Sequence, residues 1–557
     1  MTDRRKLLVL AYFASFAIYF AVGYWLQAGN GYIMGDALSR VAAAQSVLFS
    51  RDPHLAAIGF IFTPLTAMVQ LPVLLLNPIW PDIAERALSG TVMSALFMAG
   101  AVVQILSMAL DRGLPRYFVL AVGVIFALNP MIVFYGANGM SEAPFIFFMT
   151  WAVRRLMMWM LDDDVHHLIT AGGIAMGLAY LTRYDAVACI AAAGILVGAT
   201  TYLRARGKPR FRRALLDTVM VSGPGTLAFF GWAAVSWLIT GEAFGQFSSQ
   251  YGNTAILEQS GSQAPSFGSG LLFAAVCVSL LAPALVPLAA WSVIRRWATP
   301  SWPVVLVPLA VYGAALAFQA FSYATGSTFP FLRFFIIAIP LATCLAMLAV
   351  PDGRLQAAKR PGRYAPNPAL PFAPLPHTRW AYVPVVLLLA LSIPVTAWGM
   401  GSPRYAPQEY ALGVVLAPEP DNVSQQKAIE RRIAASFSTE RAIAKYLDDL
   451  DLPESSVITD TVYGFAVLAA SAKPKTFVIP SDPDFTSLLN EPSAGGIRYL
   501  LAVPLTGRGV SDALNQRYPT LYETGADIAT LELEIPNDGD SQPDWRLYRV
   551  FESAADG

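Results

Sequence analysis

The sequence predicts a mostly helical, polytopic membrane bundle of about 11 transmembrane helices, followed by a C-terminal soluble α/β domain. Three observations predict it. Hydrophobic residues make up 55% of the 557 and charged residues 14%, against roughly a quarter charged in an ordinary soluble protein. Apolar windows of about 20 residues, the length that crosses a bilayer, recur from residue 7 to residue 398. The net charge is zero, yet residues 1–400 carry +10 and residues 401–557 carry −10, so the chain divides into two bodies in different surroundings.

The apolar windows fall at 7–26, 87–110, 117–134, 143–161, 168–181, 186–203, 214–239, 271–294, 302–321, 334–350 and 380–398. The first follows the basic flank MTDRRK but lacks a small-residue cleavage site, and it is read as a retained span. Another apolar stretch, 55–76, is interrupted by Pro64 and Pro72. With eleven crossings and a cytoplasmic N-terminus, 20 of the 25 positive charges of residues 1–400 lie on the cytoplasmic side, including the run RARGKPRFRR. Counting 55–76 as a crossing would put that run outside, so this stretch is expected to dip into or lie on the outer leaflet. Cys189, Cys277 and Cys344 all sit inside apolar runs and say nothing about disulfides or metal, so the redox compartment stays open.

Two connections stand out. Residues 241–270, rich in Gly and Ser and free of Lys and Arg, suit an ordered outer loop or lid. Residues 361–376 carry six prolines and suit an extended cytoplasmic connector. After Trp398 helix and strand patterns alternate: STERAIAKYLDDL as an amphipathic helix, SSVIT as a strand, VYGFAVLAAS as a helix, then strands TFVIP and RYLLAV, helical RGVSDALNQRY, and closing strands ATLELEI and WRLYRV. This predicts a small three-layer α/β domain over 401–557. An odd number of crossings makes it extracytoplasmic, with the protein multi-pass in the plasma (inner) membrane.

Only Arg40, Arg51, Arg86, Arg183 and Arg333 of the membrane half then face outward, each near a membrane boundary where a charge is costly. For Arg51 and Arg86 snorkelling to headgroups is the plain alternative. Asp36 stands where the chain leaves the first span and opens ALSRVAAAQSVLF, so it suits both a helix cap and a base. Arg40 follows one helical turn later, and His54 is expected in the following turn. Glu142 follows Asn138 at the start of another span, where a helix N-terminus favours an acid, and Asp185 lies two residues beyond Arg183 in LTRYDA. Together Asp36, Glu142 and Asp185 with Arg40, Arg183 and Arg333 form a set able to take a proton from a hydroxyl while holding an anionic phosphate. Asp482 and Asp484, in IPSDPDF, read as a Pro-containing turn after a strand.

The order and common sidedness of several motifs carry a resemblance. A first span followed by outer GD, an interfacial stretch with TPL, a span led by Glu85 and Arg86, MSEAP, LTRYDA, TGEAFGQF and LRFFIIAIPL together resemble the GT-C membrane glycosyltransferases over about residues 1–400. The protein O-mannosyltransferase and aminoarabinose transferase branches are nearest in pattern. The resemblance implies a GT-C transmembrane domain that takes a sugar, hexosyl or pentosyl, from a polyprenyl-phosphate carrier. The acceptor is a lipid, polysaccharide or protein, and membrane lipids surround the reaction. It implies Asp36 as general base, inversion at the sugar, and Arg333, Arg183 and Arg40 around the donor phosphate. Glu142, Asp185, His54 and Asn138 are further candidates. No cofactor and no nucleic acid partner is implied. Many relatives carry two adjacent acids where this chain has GD alone, which argues against a metal-dependent variant. A secondary transporter or flippase of lipid-linked sugars, and a lipid-linked glycan ligase or polymerase, stay open as alternatives.

Overall fold

Every expected apolar window is largely helical over its described residues in the computed structural model, which describes residues 3–205, 209–249, 251–259, 264–297, 302–351, 381–419 and 421–552. The proline-rich connector 361–376 lies outside the described residues. Among those described, α1 (Asp3–Tyr24) passes into a π-helical turn and leads to α2 (Gly35–Phe49). Seven helices are long and apolar enough to cross a membrane: Asp3–Gly29, Leu88–Asp111, Ala186–Arg204, Arg210–Thr240, Trp302–Ala324, Leu332–Ala349 and Val383–Met400. Two bent pairs raise the number to nine.

The protein is thus multi-pass; among the described residues seven to nine helices qualify by length and composition, which does not confirm the expected eleven. The two windows that drop out have clear reasons. Glu142–Asp162 is interrupted by Arg154 and Arg155, and the helical run 165–180 has only 16 residues, short of the ~20 that span a bilayer.

Both bends sit at proline. Arg116–Ala127 and Pro130–Ala137 meet at 61°, where Asn129 caps the second helix by accepting the Met131 N–H at 3.1 Å. Phe267–Leu281 and Leu285–Trp297 meet at 77° around Pro283. Small residues bring helices close. A Cβ on Gly23 would lie 2.2 Å from the Ala137 carbonyl oxygen, so α1 touches the Pro130–Ala137 backbone directly.

Residues 55–76 form short turns at Leu55–Ile58, Leu65–Met68 and Leu71–Leu74 with no crossing. The stretch docks on LTRYDA: the Leu65 N–H donates to the Leu181 carbonyl at 2.9 Å, and the Tyr184 hydroxyl donates to the Ile61 carbonyl.

The tail carries α3 (Ser438–Asp449), β1 (Val457–Ile458), α4 (Thr461–Ala470), β2 (Phe477–Val478), β3 (Tyr499–Ala502), α5 (Ala513–Arg517), β4 (Ala529–Ile535) and β5 (Trp545–Val550). The sheet order is β2-β1-β3-β5-β4, parallel around β1 and antiparallel around β5. Successive strand residues face opposite layers. Val457 packs with Ile443 and Leu447 of α3, while Ile458 packs with Leu500 and Leu514 on the other face. The expected three layers are therefore present.

The two bodies share cores. Ala406, Ala411 and Leu412 join the bundle's buried cluster. Leu38, Val41 and Ala42 of α2 pack in one cluster with Ile58 and Leu74 of the membrane half and with Phe437, Phe465 and Ala469 of the tail. At the end of α2, Arg51 donates to Asp482 at 3.1 Å and pairs with Asp484. The SDPD acids thus hold an arginine, and Arg51 does not snorkel. Arg51→Gln is expected to weaken this docking by about 1.5–3 kcal/mol, the scale of a charge-assisted hydrogen bond. Faster amide exchange across α4 would be the measured result.

Candidate functional site

Asp36 is the second residue of α2, where an acid also suits the helix dipole. It is not the cap, because Met34 occupies that position without a side-chain bond. Its carboxylate accepts from the Arg333 guanidinium at 3.1 Å, an ion pair linking residues nearly 300 apart. The Arg333 side chain is 5% exposed and that of Asp36 is 42% exposed, so the acid keeps an open side that a hydroxyl can reach.

Local structure fixes Arg333 from three directions. The Leu332 N–H donates to the Tyr405 carbonyl at 2.7 Å, and the rings of Phe331 and Phe334 lie 4.9 and 5.3 Å from the guanidinium carbon. Below it, the turn holding Asn138 and Met140 wedges against α2. Gly139 has φ +78°, and a Cβ there would meet Gly90 at 3.1 Å and Ala37 at 3.3 Å. The same turn brings Met140 Sδ to 3.9 Å from Arg333 Nη1 and starts the helix that carries Glu142.

Arg183 forms the second half of the cluster. It donates to Glu142 at 2.8 Å and to Asp185 at 2.9 Å, and Gln319 donates to the other Asp185 oxygen at 2.7 Å. Two carboxylates on one guanidinium leave this group net negative. Arg40 instead donates to the Asp36 backbone carbonyl at 2.8 Å and lies 4.1 Å from the Phe62 ring. It braces the turn of α2 that presents Asp36.

Buried polar groups are normally satisfied, so the orphans here are informative. Arg40 Nε, Asn138 Nδ2, Glu142 Oε2 and Arg333 Nε are buried without a hydrogen-bond partner among the described residues. They mix donors with an acceptor around one carboxylate, as a polyhydroxylated, anionic ligand requires. Burial by itself would raise the Asp36 carboxyl, but the guanidiniums of Arg333 and Arg40, with a further contribution from Arg508, hold it below the usual range. Asp36 is therefore ionised at neutral pH.

Of the residues singled out in the sequence, Asp36, Arg40, Asn138, Glu142, Arg183, Asp185 and Arg333 gather here. His54 does not. It sits beyond the far end of α2, about 20 Å along the helix from Asp36, with its Nδ1 against the Asp52 carbonyl. A 15-residue helix separates what looked adjacent in sequence. Among the described residues, no three His, Cys, Asp or Glu side chains converge as metal ligands.

Sequence reasoning missed Glu409, which is 1% exposed and accepts from the Tyr135 hydroxyl; burial raises its carboxyl. It is the second charge after the last apolar window, in PQEY, and was read with the tail. Gln319, an amide inside an apolar window, was a signal of the same kind.

No protein-family model and no curated protein matches the chain. Among solved structures, ArnT from Cupriavidus metallidurans bound to undecaprenyl phosphate aligns with a TM-score of 0.54 and 14% identity over 98% of each chain. The chain has the GT-C fold. ArnT in the apo state aligns at a TM-score of 0.50, again at 14% identity over 98% of each chain. The archaeal oligosaccharyltransferase AglB from Archaeoglobus fulgidus, in complex with an inhibitory peptide and a dolichol-phosphate, aligns at 0.39 and 10% identity, covering 100% of this chain and 75% of that one. In this GT-C fold the cluster lies where the first loop, the LTRYDA turn and the tail meet.

Arg183→Gln is expected to destabilise the fold by about 3–5 kcal/mol, because it leaves Glu142 and Asp185 as uncompensated buried charges. Thermal unfolding in detergent micelles measures this. A melting temperature equal to the wild type would show that water already solvates the pair.

Proposed function

We propose that this chain is an inverting membrane glycosyltransferase that moves a sugar from a polyprenyl-phosphate carrier to an acceptor hydroxyl on the extracytoplasmic side. The observation that carries this reading is the pairing of an open, ionised carboxylate, Asp36, with a buried guanidinium, Arg333, at the end of an apolar bundle. The undecaprenyl phosphate bound in the structure of ArnT supports a polyprenyl phosphate as the donor's carrier.

The residues divide the chemistry between them. Asp36 takes the proton of the acceptor hydroxyl as its oxygen attacks the anomeric carbon. The new carbon–oxygen bond forms on one face while the bond to the phosphate oxygen breaks on the other. The phosphate departs with the bonding electrons toward Arg333, whose Nε has no partner among the described residues. Arg183 is already neutralised by Glu142 and Asp185, so its role is to hold Glu142. The free Glu142 Oε2 and Asn138 Nδ2 are placed to bind hydroxyls of the donor sugar.

Purified protein, radiolabelled polyprenyl-phosphate sugars and a membrane extract test the proposal. Transfer of label to the extract is the expected result. Uptake of the lipid-linked sugar into sealed vesicles without transfer would support a transporter instead.

A further inference from the structure

The tail supplies a further cation whose charge is felt at Asp36, Arg508. Arg508 lies in the 3-10 turn Gly507–Ser511, and its guanidinium carbon is 5.4 Å from the centre of the Tyr463 ring on the first turn of α4. Helix α4 is packed on α2, with Phe465 and Ala466 in one buried cluster with Leu38 and Val41. The Tyr463–Arg508 pair therefore lies on the side of α2 that α4 covers, with Arg508 near enough to Asp36 to help hold its carboxyl down. Arg508 forms no ion pair among the described residues, unlike Arg51, Arg183 and Arg333.

The turn is held firmly. Asn515, 1% exposed, donates to the Val503 carbonyl at 3.0 Å and the Gly509 carbonyl at 2.9 Å. Gly509 is pressed so close to Pro504 that a Cβ would sit 2.0 Å from its carbonyl oxygen. The outer loop closes on the same surface: Gln259 donates to Ser511 at 2.8 Å, and the Tyr251 hydroxyl donates to Asp460, the cap of α4, at 3.0 Å. A fixed cation with no carboxylate, stacked on an aromatic ring and walled by a loop, has the character of a subsite for an anion.

Its side of the carboxylate decides which substrate it serves. Arg333 reaches Asp36 from within the bundle, whereas Arg508 comes from the soluble domain. In an inverting displacement the leaving phosphate and the incoming hydroxyl occupy opposite faces of the sugar. We infer that Arg508 and Tyr463 form the acceptor subsite, and that the acceptor is an acidic sugar bearing a phosphate or carboxylate near the attacking hydroxyl. The assignment of sides rests on the function proposed above.

The test uses the full chain in nanodiscs saturated with undecaprenyl phosphate, titrated calorimetrically with glucose 6-phosphate, glucuronate and glucose. Wild type is expected to bind at least one acidic sugar about tenfold tighter than glucose, with Arg508→Gln abolishing that preference and Arg508→Lys retaining it. Arg517→Gln serves as a matched control, since Arg517 also stacks on a tyrosine of the tail, at 4.7 Å from Tyr518, and should leave the preference intact. A preference for the phosphate alone or the carboxylate alone, lost in Arg508→Gln, upholds the inference and names the group. Equal binding of acidic and neutral sugars, or a preference that survives Arg508→Gln and disappears in Arg333→Gln, overturns it. If undecaprenyl phosphate itself fails to bind wild type, the donor reading fails, while the same titrations without lipid still decide whether Arg508 binds an anion.

Discussion

Asp36→Asn is expected to reduce sugar transfer by about 10²–10⁴-fold, the range a positioned general base contributes, and to leave undecaprenyl phosphate binding in place. Asparagine keeps the shape and can still accept from Arg333 but removes the charge, so unchanged lipid binding is the control that ties the loss to proton acceptance. A variant that transfers label at the wild-type rate would remove Asp36 as the base. The pH profile adds a second check. The Asp36 carboxyl sits below its ordinary value of about 4, so the active, ionised form persists through neutral pH and is lost on acidification below that value. A phosphate arriving at Arg333 draws on the charge that holds the carboxyl down. The acidic limb for kcat, set by the loaded enzyme, is therefore expected at higher pH than the limb for kcat/KM.

Arg333→Gln is expected to lower the rate by about 10²–10³-fold through loss of charge stabilisation on the departing phosphate, and to weaken undecaprenyl phosphate binding as well. Arg333→Lys restores part of both, since a point charge replaces the forked one. Arg40→Gln provides the contrast. Because Arg40 bonds the α2 backbone, it should disturb kcat through Asp36 placement while leaving lipid binding unchanged. Equal losses of lipid binding in Arg40→Gln and Arg333→Gln would mean that the phosphate lies between them.

Much of the site was legible because charges near hydrocarbon are expensive and hence few. Asp36, Glu142, Arg183 and Arg333 stand out against long apolar windows, and the structure brings all four together. The roles within the cluster were not legible. Arg183 and Arg333 look equivalent in sequence, but Arg183 lies between two carboxylates and Arg333 faces one half-open acid. His54 was misplaced because sequence proximity ignores the length of a helix. The partners of Arg51 and Glu409 were invisible for the opposite reason, since they lie 431 and 274 residues away, and Arg508 meets Tyr463 only through the packing of the tail.

The amino-acid pattern alone determined the helical membrane bundle, the absence of a crossing at 55–76 and the layered tail, because apolar length, proline breaks and alternation are local properties of the chain. Only the tertiary structure decided which charges neutralise one another, and that α2 packs against α4 of the tail. Those outcomes depend on distances between residues far apart in sequence, set by how α2 is packed between the bundle and the soluble domain.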